Sequence, residues 1–331
     1  MAHALFRDGM AYVGEKPWHG LGRRVQAGTS ASAFLQAAGL DWQVELVPAS
    51  GAKRLPPSKT HPGERWSRYE IQRPPLGDEE MPVALGMVGD RYVPLQNTEA
   101  FAFFDPLLQQ GWASLETAGA LYDGEVVWVQ VRLRDDMEVQ EGDAIRRYLL
   151  LRNRHDGEGA VSIRFSPVRV VCQNTLTFAE RSQQAFASVR HSRSIAARLK
   201  AVQVDAIRAE VDAFTQRTTR VFRAMADRKL KAEEQLELLD RLCGKRPESP
   251  GPGQLTRRQM AERRIFEQER MDPLAGSQTV WGLYNAITWM EDQRARQVKD
   301  FESATNRMWF GSGADNKAKA FDALSAFVQG A

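Results

Sequence analysis

Residues 161–200 read VSIRFSPVRVVCQNTLTFAERSQQAFASVRHSRSIAARLK, and the chain changes character within them. Before this stretch, apolar residues alternate in short runs bounded by turn residues, the period of strands. After it they recur every three or four residues, the period of helices. The expected fold is therefore α+β, a mostly antiparallel sheet core with a helical C-terminal half.

On the strand side, Ala160 to Phe165 and Arg147 to Arg152 are two strands joined by His155-Asp156-Gly157-Glu158-Gly159, and Glu125 to Leu133 is a third, rich in valine. Further back, Ala84–Val88 and Arg91–Pro94 flank Gly89-Asp90, a hairpin signal. Val44, Leu46 and Arg68 to Gln72 alternate as strands, and Asn97 to Gln109 reads as a helix with Phe101, Phe104, Leu107 and Leu108 on one face. The first forty residues read as an irregular arm, then a helix from Ser30 or Ser32 to Ala38 that Gly39 ends.

On the helix side, Ser166-Pro167 fits an N-cap followed by proline at the first helical position, with Val168, Val171, Cys172, Thr175, Leu176 and Ala179 on one face. A longer helix begins near Ser192 or Ser194 and continues, with a break, toward Leu242. Gly244 to Gly253 holds three prolines and three glycines, an exposed linker. Helices then return at Gln259–Arg270, Val280–Arg296 and Lys317–Val328. The expected division is a core of residues 1–190, a long helical segment 191–243, a linker 244–258 and a C-terminal helical region 259–331.

The chain carries a net charge of only +3, so any basic site must come from local clustering. Residues 161–200 supply it, with Arg164, Arg169, Arg181, Arg190, Arg193, Arg198 and Lys200 against the single acid Glu180. Helix starts expose unpaired N–H groups that favour phosphate, and arginine adds a bidentate fork for its oxygens. Arg164, Arg169, Arg190, His191, Arg193 and Arg198, with Gln173 and Asn174 as polar partners, are the expected anion-binding residues; a solvated basic face is the plain alternative.

Catalytic signals are weaker. Cys172 lies at the spacing of Val168 and Val171 and reads as a core residue. His155-Asp156-Gly157 reads as a turn. Asp135, Asp136, Glu138 and Asp143 offer oxygen ligands, yet an exposed acidic loop explains them equally well. Gly-x-Gly at 157–159, 251–253 and 311–313 lacks any nucleotide-binding context. Trp281, Tyr284, Trp289, Trp309 and Phe310 can stack on unpaired bases or fill a helical core. No catalytic residue, metal site or cofactor is expected. Two cysteines, Cys172 and Cys243, no basic leader and no long apolar run indicate a reduced, soluble, cytoplasmic protein.

The block Arg169-Val170-Val171-Cys172-Gln173-Asn174-Thr175-Leu176, followed by Arg190-His191-Ser192, resembles the core signature of phage/plasmid-like proteins grouped as domain of unknown function 932. Pro17-Trp18-His19-Gly20-Leu21-Gly22, Gln96-Asn97, Asn153 with His155-Asp156-Gly157, and Trp281-Gly282-Leu283-Tyr284-Asn285-Ala286 carry the same resemblance. Ser192 stands where threonine is expected; either hydroxyl can cap. The resemblance implies a phage, plasmid or integrative element as origin, and no reaction. Charge and resemblance together lead to a non-catalytic nucleic-acid-binding protein, with single-stranded DNA the favoured partner and homo-oligomers forming through the helices after Ser194. An enzyme acting on nucleotides, using His155, Asp156 and Cys172, and a protein-assembly module are the alternatives.

Overall fold

The structure is a computed structural model that describes residues 9–14, 22–56, 64–169, 187–200, 204–245, 255–298 and 300–330. Its strands are β1 (Met10–Val13), β2 (Arg23–Val25), β3 (Glu45–Pro48), β4 (Arg54–Leu55), β5 (Arg65–Trp66), β6 (Tyr69–Arg73), β7 (Val83–Val88), β8 (Ala113–Leu121), β9 (Val126–Leu133), β10 (Met137–Glu138), β11 (Ala144–Arg146), β12 (Tyr148–Arg154), β13 (Val161–Phe165), β14 (Val168–Arg169) and β15 (Ala187–Val189). Helices α1 (Ala31–Ala37), α2 (Asn97–Ala102) and α3 (Asp105–Gln109) lie among the strands. After them come α4 (Ile195–Lys200), α5 (Val204–Asp227), α6 (Ala232–Cys243), α7 (Arg257–Met271), α8 (Val280–Arg296), α9 (Phe301–Trp309) and α10 (Ser312–Gln329).

The fold is α+β. Seven strands form one sheet in the order β15-β13-β12-β9-β8-β1-β2, antiparallel throughout except for β1 beside β2. Strand alternation sends Val127, Val129, Val131, Leu149, Leu151, Val161 and Ile163 into one core with Phe34, Leu35, Phe101, Phe104 and Leu107 of the first three helices. Trp128, Val126 and Leu150 point to the opposite face, where Trp309 and Phe310 at the end of α9 pack on them. The Trp128 and Trp309 rings meet edge to face at 5.0 Å.

A second core gathers α5, α6, α7, α8 and α10 around Trp281, Tyr284, Ile287 and Phe222, and takes Met137 and Ile145 from β10 and β11. Its axis is α8, buried on nearly every side. A helix so enclosed must satisfy its polar groups internally. The Trp281 indole N–H donates to the Asp143 carboxylate at 2.9 Å, and the Lys317 ammonium donates to Asp292 (2.8 Å) and to the Met308 carbonyl (3.1 Å).

Several expectations are corrected. Residues 91–94 form no strand: Pro94 cannot donate to a ladder, and β7 pairs with β6 instead. No helix begins at Ser166-Pro167. The Ser166 N–H donates to the Tyr148 carbonyl, and β14 then pairs with β11, so Arg169 belongs to a strand and not to a helix start. The rest of that segment lies outside the described residues. The helix expected over 97–109 is split at Phe103–Phe104 into α2 and α3. Part of the expected arm is β1 and β2, while β8 and α9 answer to no expectation. Asp143 is buried and spent on Trp281, not available in an acidic loop. Among the described residues no helix is long and apolar enough to cross a membrane.

Two buried histidines hold the turn that follows β12. The Asn97 side-chain N–H donates to the Leu40 carbonyl, which leaves its Oδ1 to accept from His155 Nε2–H at 2.9 Å. His191 donates Nδ1–H to the Val93 carbonyl (3.3 Å) and stacks on Tyr92 at 4.8 Å. Burial pushes His155 down to about 3, helped by the neighbouring His191, and pushes His191 down to about 4 against the pull of the Val93 carbonyl and Asp156. Both rings are neutral in the fold but titrate near 6.5 once unfolded. Their stabilising contribution is whole above that pH and falls as the pH drops toward 4, by about 1.4 kcal/mol per pH unit for each histidine. Urea midpoints measured between pH 7 and pH 5 should fall accordingly. A stability that is flat or rising over that range contradicts neutral burial.

Candidate anion-binding site

The pairing of β12 with β13 decides which arginines share a face. Along β12 the side chains of Leu149, Leu151 and Asn153 enter the first core, so Leu150, Arg152 and Arg154 occupy the other side. Directly opposed residues of an antiparallel pair share a face. The register matches Leu150 with Arg164 and Arg152 with Ser162, and β15 then matches Ser162 with Ser188 at the sheet edge. Arg152, Ser162 and Arg164 thus stand together beside the point where Phe310 ends α9.

Their environment is that of cations short of partners. The Arg152 guanidinium lies 4.9 Å over the Phe310 ring, and its Nε is buried with nothing to donate to. Burial, followed by the charges of Arg164 and Arg154, pushes it down to about 10, with Asp156 opposing. Arg164 is lowered by burial too, partly offset by Asp315, and its Nε is also without an acceptor. Between them Ser162 is 5 % exposed, and its hydroxyl has no partner. Arg154 differs: Asp156 and Glu158 engage it in ion pairs. A half-buried cation carries a desolvation cost that an opposite charge offsets. Arg152 and Arg164 have no such charge within hydrogen-bond reach among the described residues. An anion seated between them meets two guanidinium groups and a hydroxyl.

A cavity of about 430 Å³ opens beside Arg152, lined by Met87, Tyr122, Glu125, Arg154, Asp156, Asn306 and Phe310 among others. The turn His155-Asp156-Gly157 forms one wall, pressed against β7 so closely that a methyl group on Gly86 would overlap the Asp156 carbonyl. The turn at Tyr122 and Asp123 forms another wall, with φ of 53° and 56° at two successive non-glycine residues. Such left-handed backbone costs energy and is held by its surroundings, here by Glu302 accepting from the Tyr122 N–H at 2.9 Å.

The expected anion-binding residues are divided by the structure. Arg164 joins the site just described. Arg190 follows the edge strand and is exposed, as are Arg193 and Arg198 on the approach to and within α4. His191 is buried and uncharged near neutral pH, so it adds no positive charge. Arg169 is placed by its backbone in β14, and Gln173, Asn174, Arg181 and Cys172 lie outside the described residues. His155 is fully buried. Trp281 and Tyr284 fill the second core, whereas Trp309 and Phe310 lie at the sheet. Sequence reasoning missed Arg152, Ser162 and the platform role of Phe310. The signal was present in Tyr148-Leu-Leu-Leu-Arg-Asn-Arg154, where arginine replaces the apolar residue on alternate positions as the strand leaves the core.

Among the described residues no group of three His, Cys, Asp or Glu side chains is placed to hold a metal ion. The family model described as Domain of unknown function (DUF932) matches residues 84–309, which run from the second residue of β7 through α9 and include every residue of the site except Phe310, the next position along. No curated protein and no solved structure matches the chain.

The close approach that shapes the cavity is open to a direct check. Gly86→Ala should lower unfolding stability by about 2 kcal/mol, because backbone at the Asp156 turn cannot yield as a flexible side chain would. Gly89→Ala, with nothing within 4 Å of the added methyl group, should change it by less than about 0.5 kcal/mol. Equal effects in denaturant melts would contradict the close approach.

Proposed function

This chain belongs to the DUF932 family, and on that footing we propose that it is a non-catalytic nucleic-acid-binding protein that favours single-stranded DNA. One observation carries the reading: two half-buried arginines, Arg152 and Arg164, share a sheet face without an ion pair among the described residues. A protein without such a ligand would gain by replacing or pairing them. Phosphate suits the arrangement, since guanidinium forks match its oxygens and the Ser162 hydroxyl adds a third donor. Exposed Arg190, Arg193 and Arg198 extend positive charge from the sheet edge toward α4, which suits a polyanion better than a lone phosphate.

The phosphate seat rests on side chains and not on helix starts. Arg169 lies in a strand and not at the start of a helix. The resemblance to phage and plasmid proteins makes replication or recombination of a mobile element the fitting setting, with the cytoplasm as the compartment and annealing or strand protection as the task.

Fluorescence anisotropy with a labelled single strand tests the proposal between about 50 and 200 mM salt. Affinity should fall steeply as salt rises. Arg152→Ala combined with Arg164→Ala should weaken binding at every sequence and flatten the log–log salt slope by about 0.7 for each phosphate no longer neutralised. Absence of binding at low salt, or binding indifferent to salt, refutes it.

A further inference from the structure

Phosphate explains Arg152 and Arg164 but not the cavity next to them. Three carboxylates, Glu125, Asp156 and Glu158, line it. Asp156 and Glu158 share the single charge of Arg154, whereas Glu125 has no ion pair among the described residues. Burial raises the Glu125 carboxyl above its ordinary range, and the charge of Asp156 raises it further. A phosphate inside this cavity would meet like charge at short range in a half-dry site, which disfavours it strongly. The cavity is therefore unsuited to the backbone of a strand, and the seat between Arg152 and Arg164 remains the place for that.

What the cavity does offer is a flat surface and hydrogen-bond acceptors. The Arg152 guanidinium, laid over the Phe310 ring at 4.9 Å, makes a planar cationic platform at its edge. Unstacked bases settle on aromatic rings and on guanidinium planes alike. Met87, half exposed on β7, supplies an adaptable apolar surface among the lining residues. Glu125 is an acceptor-only group when ionised, and the Asn306 amide both donates and accepts. A planar, uncharged ligand that presents N–H groups satisfies all of these at once. A phosphate, a carboxylate or a simple sugar does not.

We infer that this cavity receives one unstacked nucleobase bearing an exocyclic amino group, stacked on the Arg152–Phe310 platform with its N–H edge toward Glu125, while the adjoining phosphate sits between Arg152 and Arg164. The inference rests on the proposed nucleic-acid function and names the part of the strand that this cavity reads. Guanine fits best, because its N1–H and N2 amino group are neighbouring donors that one carboxylate accepts together, as in other bidentate base contacts. Thymine lacks an exocyclic amino group and leaves the Glu125 carboxylate with a single N–H to accept. Cytosine and adenine are intermediate.

Short thymine strands of about nine nucleotides, carrying a single central G, C, A or T, separate this inference from the function it rests on. The strand with a central guanine should bind about tenfold more tightly than the all-thymine strand, the size of one bidentate base contact. Glu125→Gln keeps the shape of the side chain but turns one acceptor oxygen into a donor, and should abolish that preference, read as the ratio of the central-guanine to the all-thymine affinity within the variant. If all four strands bind equally and Glu125→Gln changes nothing, the base-pocket inference is overturned and the phosphate-binding function stands. If no strand binds at low salt, the proposed function fails and takes this inference with it. The comparison among wild-type affinities decides the matter even if the variant folds poorly.

Discussion

Two guanidinium groups held on one sheet face, half out of water and without an ion pair among the described residues, are the constraint around which the site is organised. Their proximity follows from backbone pairing: the register of β12 on β13 sets Arg152 opposite Ser162 and Arg164 opposite Leu150, and a slip of one residue in either strand would send that strand's arginine toward the first core. That register is secured from the far side of the sheet, where Leu149, Leu151 and Ile163 are buried against Phe101 and Phe104. Packing on one face thus enforces repulsion on the other. Phe310 relieves part of the cost by offering its ring to Arg152, and Asp315 offsets part of it at Arg164.

The neighbouring turn shows the same trade between fold and site. Residues 153–157 leave β12 with alternate side chains going opposite ways: Asn153 and His155 into the buried network with Leu95 and Asn97, Arg154 and Asp156 to the cavity. The neutral His155 ring fixes the turn, and the ion pair of Arg154 with Asp156 fixes the wall. The helical core acts at a longer reach. Lys317 of α10 is bound both to Asp292 of α8 and to the Met308 carbonyl of α9, so the end of α9 that carries Trp309 and Phe310 is tied to the most deeply buried helix among the described residues.

Much of this was legible in the sequence wherever a single period dominates. Val280–Arg296 matches α8 at both ends, and Ser30, one of the two starts expected for the first helix, caps α1. The valine-rich run of β9 and the strands on either side of the His155 turn were equally plain. β8 was not, because Ala118, Gly119 and Ala120 carry no strand signal; Gly119 is small because the Trp128 indole lies against it. Pro167 looked like a helix start, yet the hydrogen bond from Ser166 to Tyr148 extends the sheet past it, a tertiary effect that no local pattern contains. The candidate site divides in the same way. Clustered charge pointed to Arg164 and Arg190, whereas Arg152 and Ser162 gained meaning only when strand pairing left them without partners.

The central claim is that Arg152 and Arg164 are kept at a cost to the fold for the sake of an anionic ligand. The thermal midpoint of the wild type and of a double variant, Arg152→Gln with Arg164→Gln, measured with and without a saturating single-stranded oligonucleotide, tests it most directly. Without ligand the variant should melt higher by about 1–2 °C, the equivalent of roughly 1 kcal/mol in a chain of 331 residues. With ligand the order should reverse, because binding to the folded state stabilises the wild type alone. A variant that melts lower without ligand, and that gains as much from the oligonucleotide as the wild type does, would contradict the account.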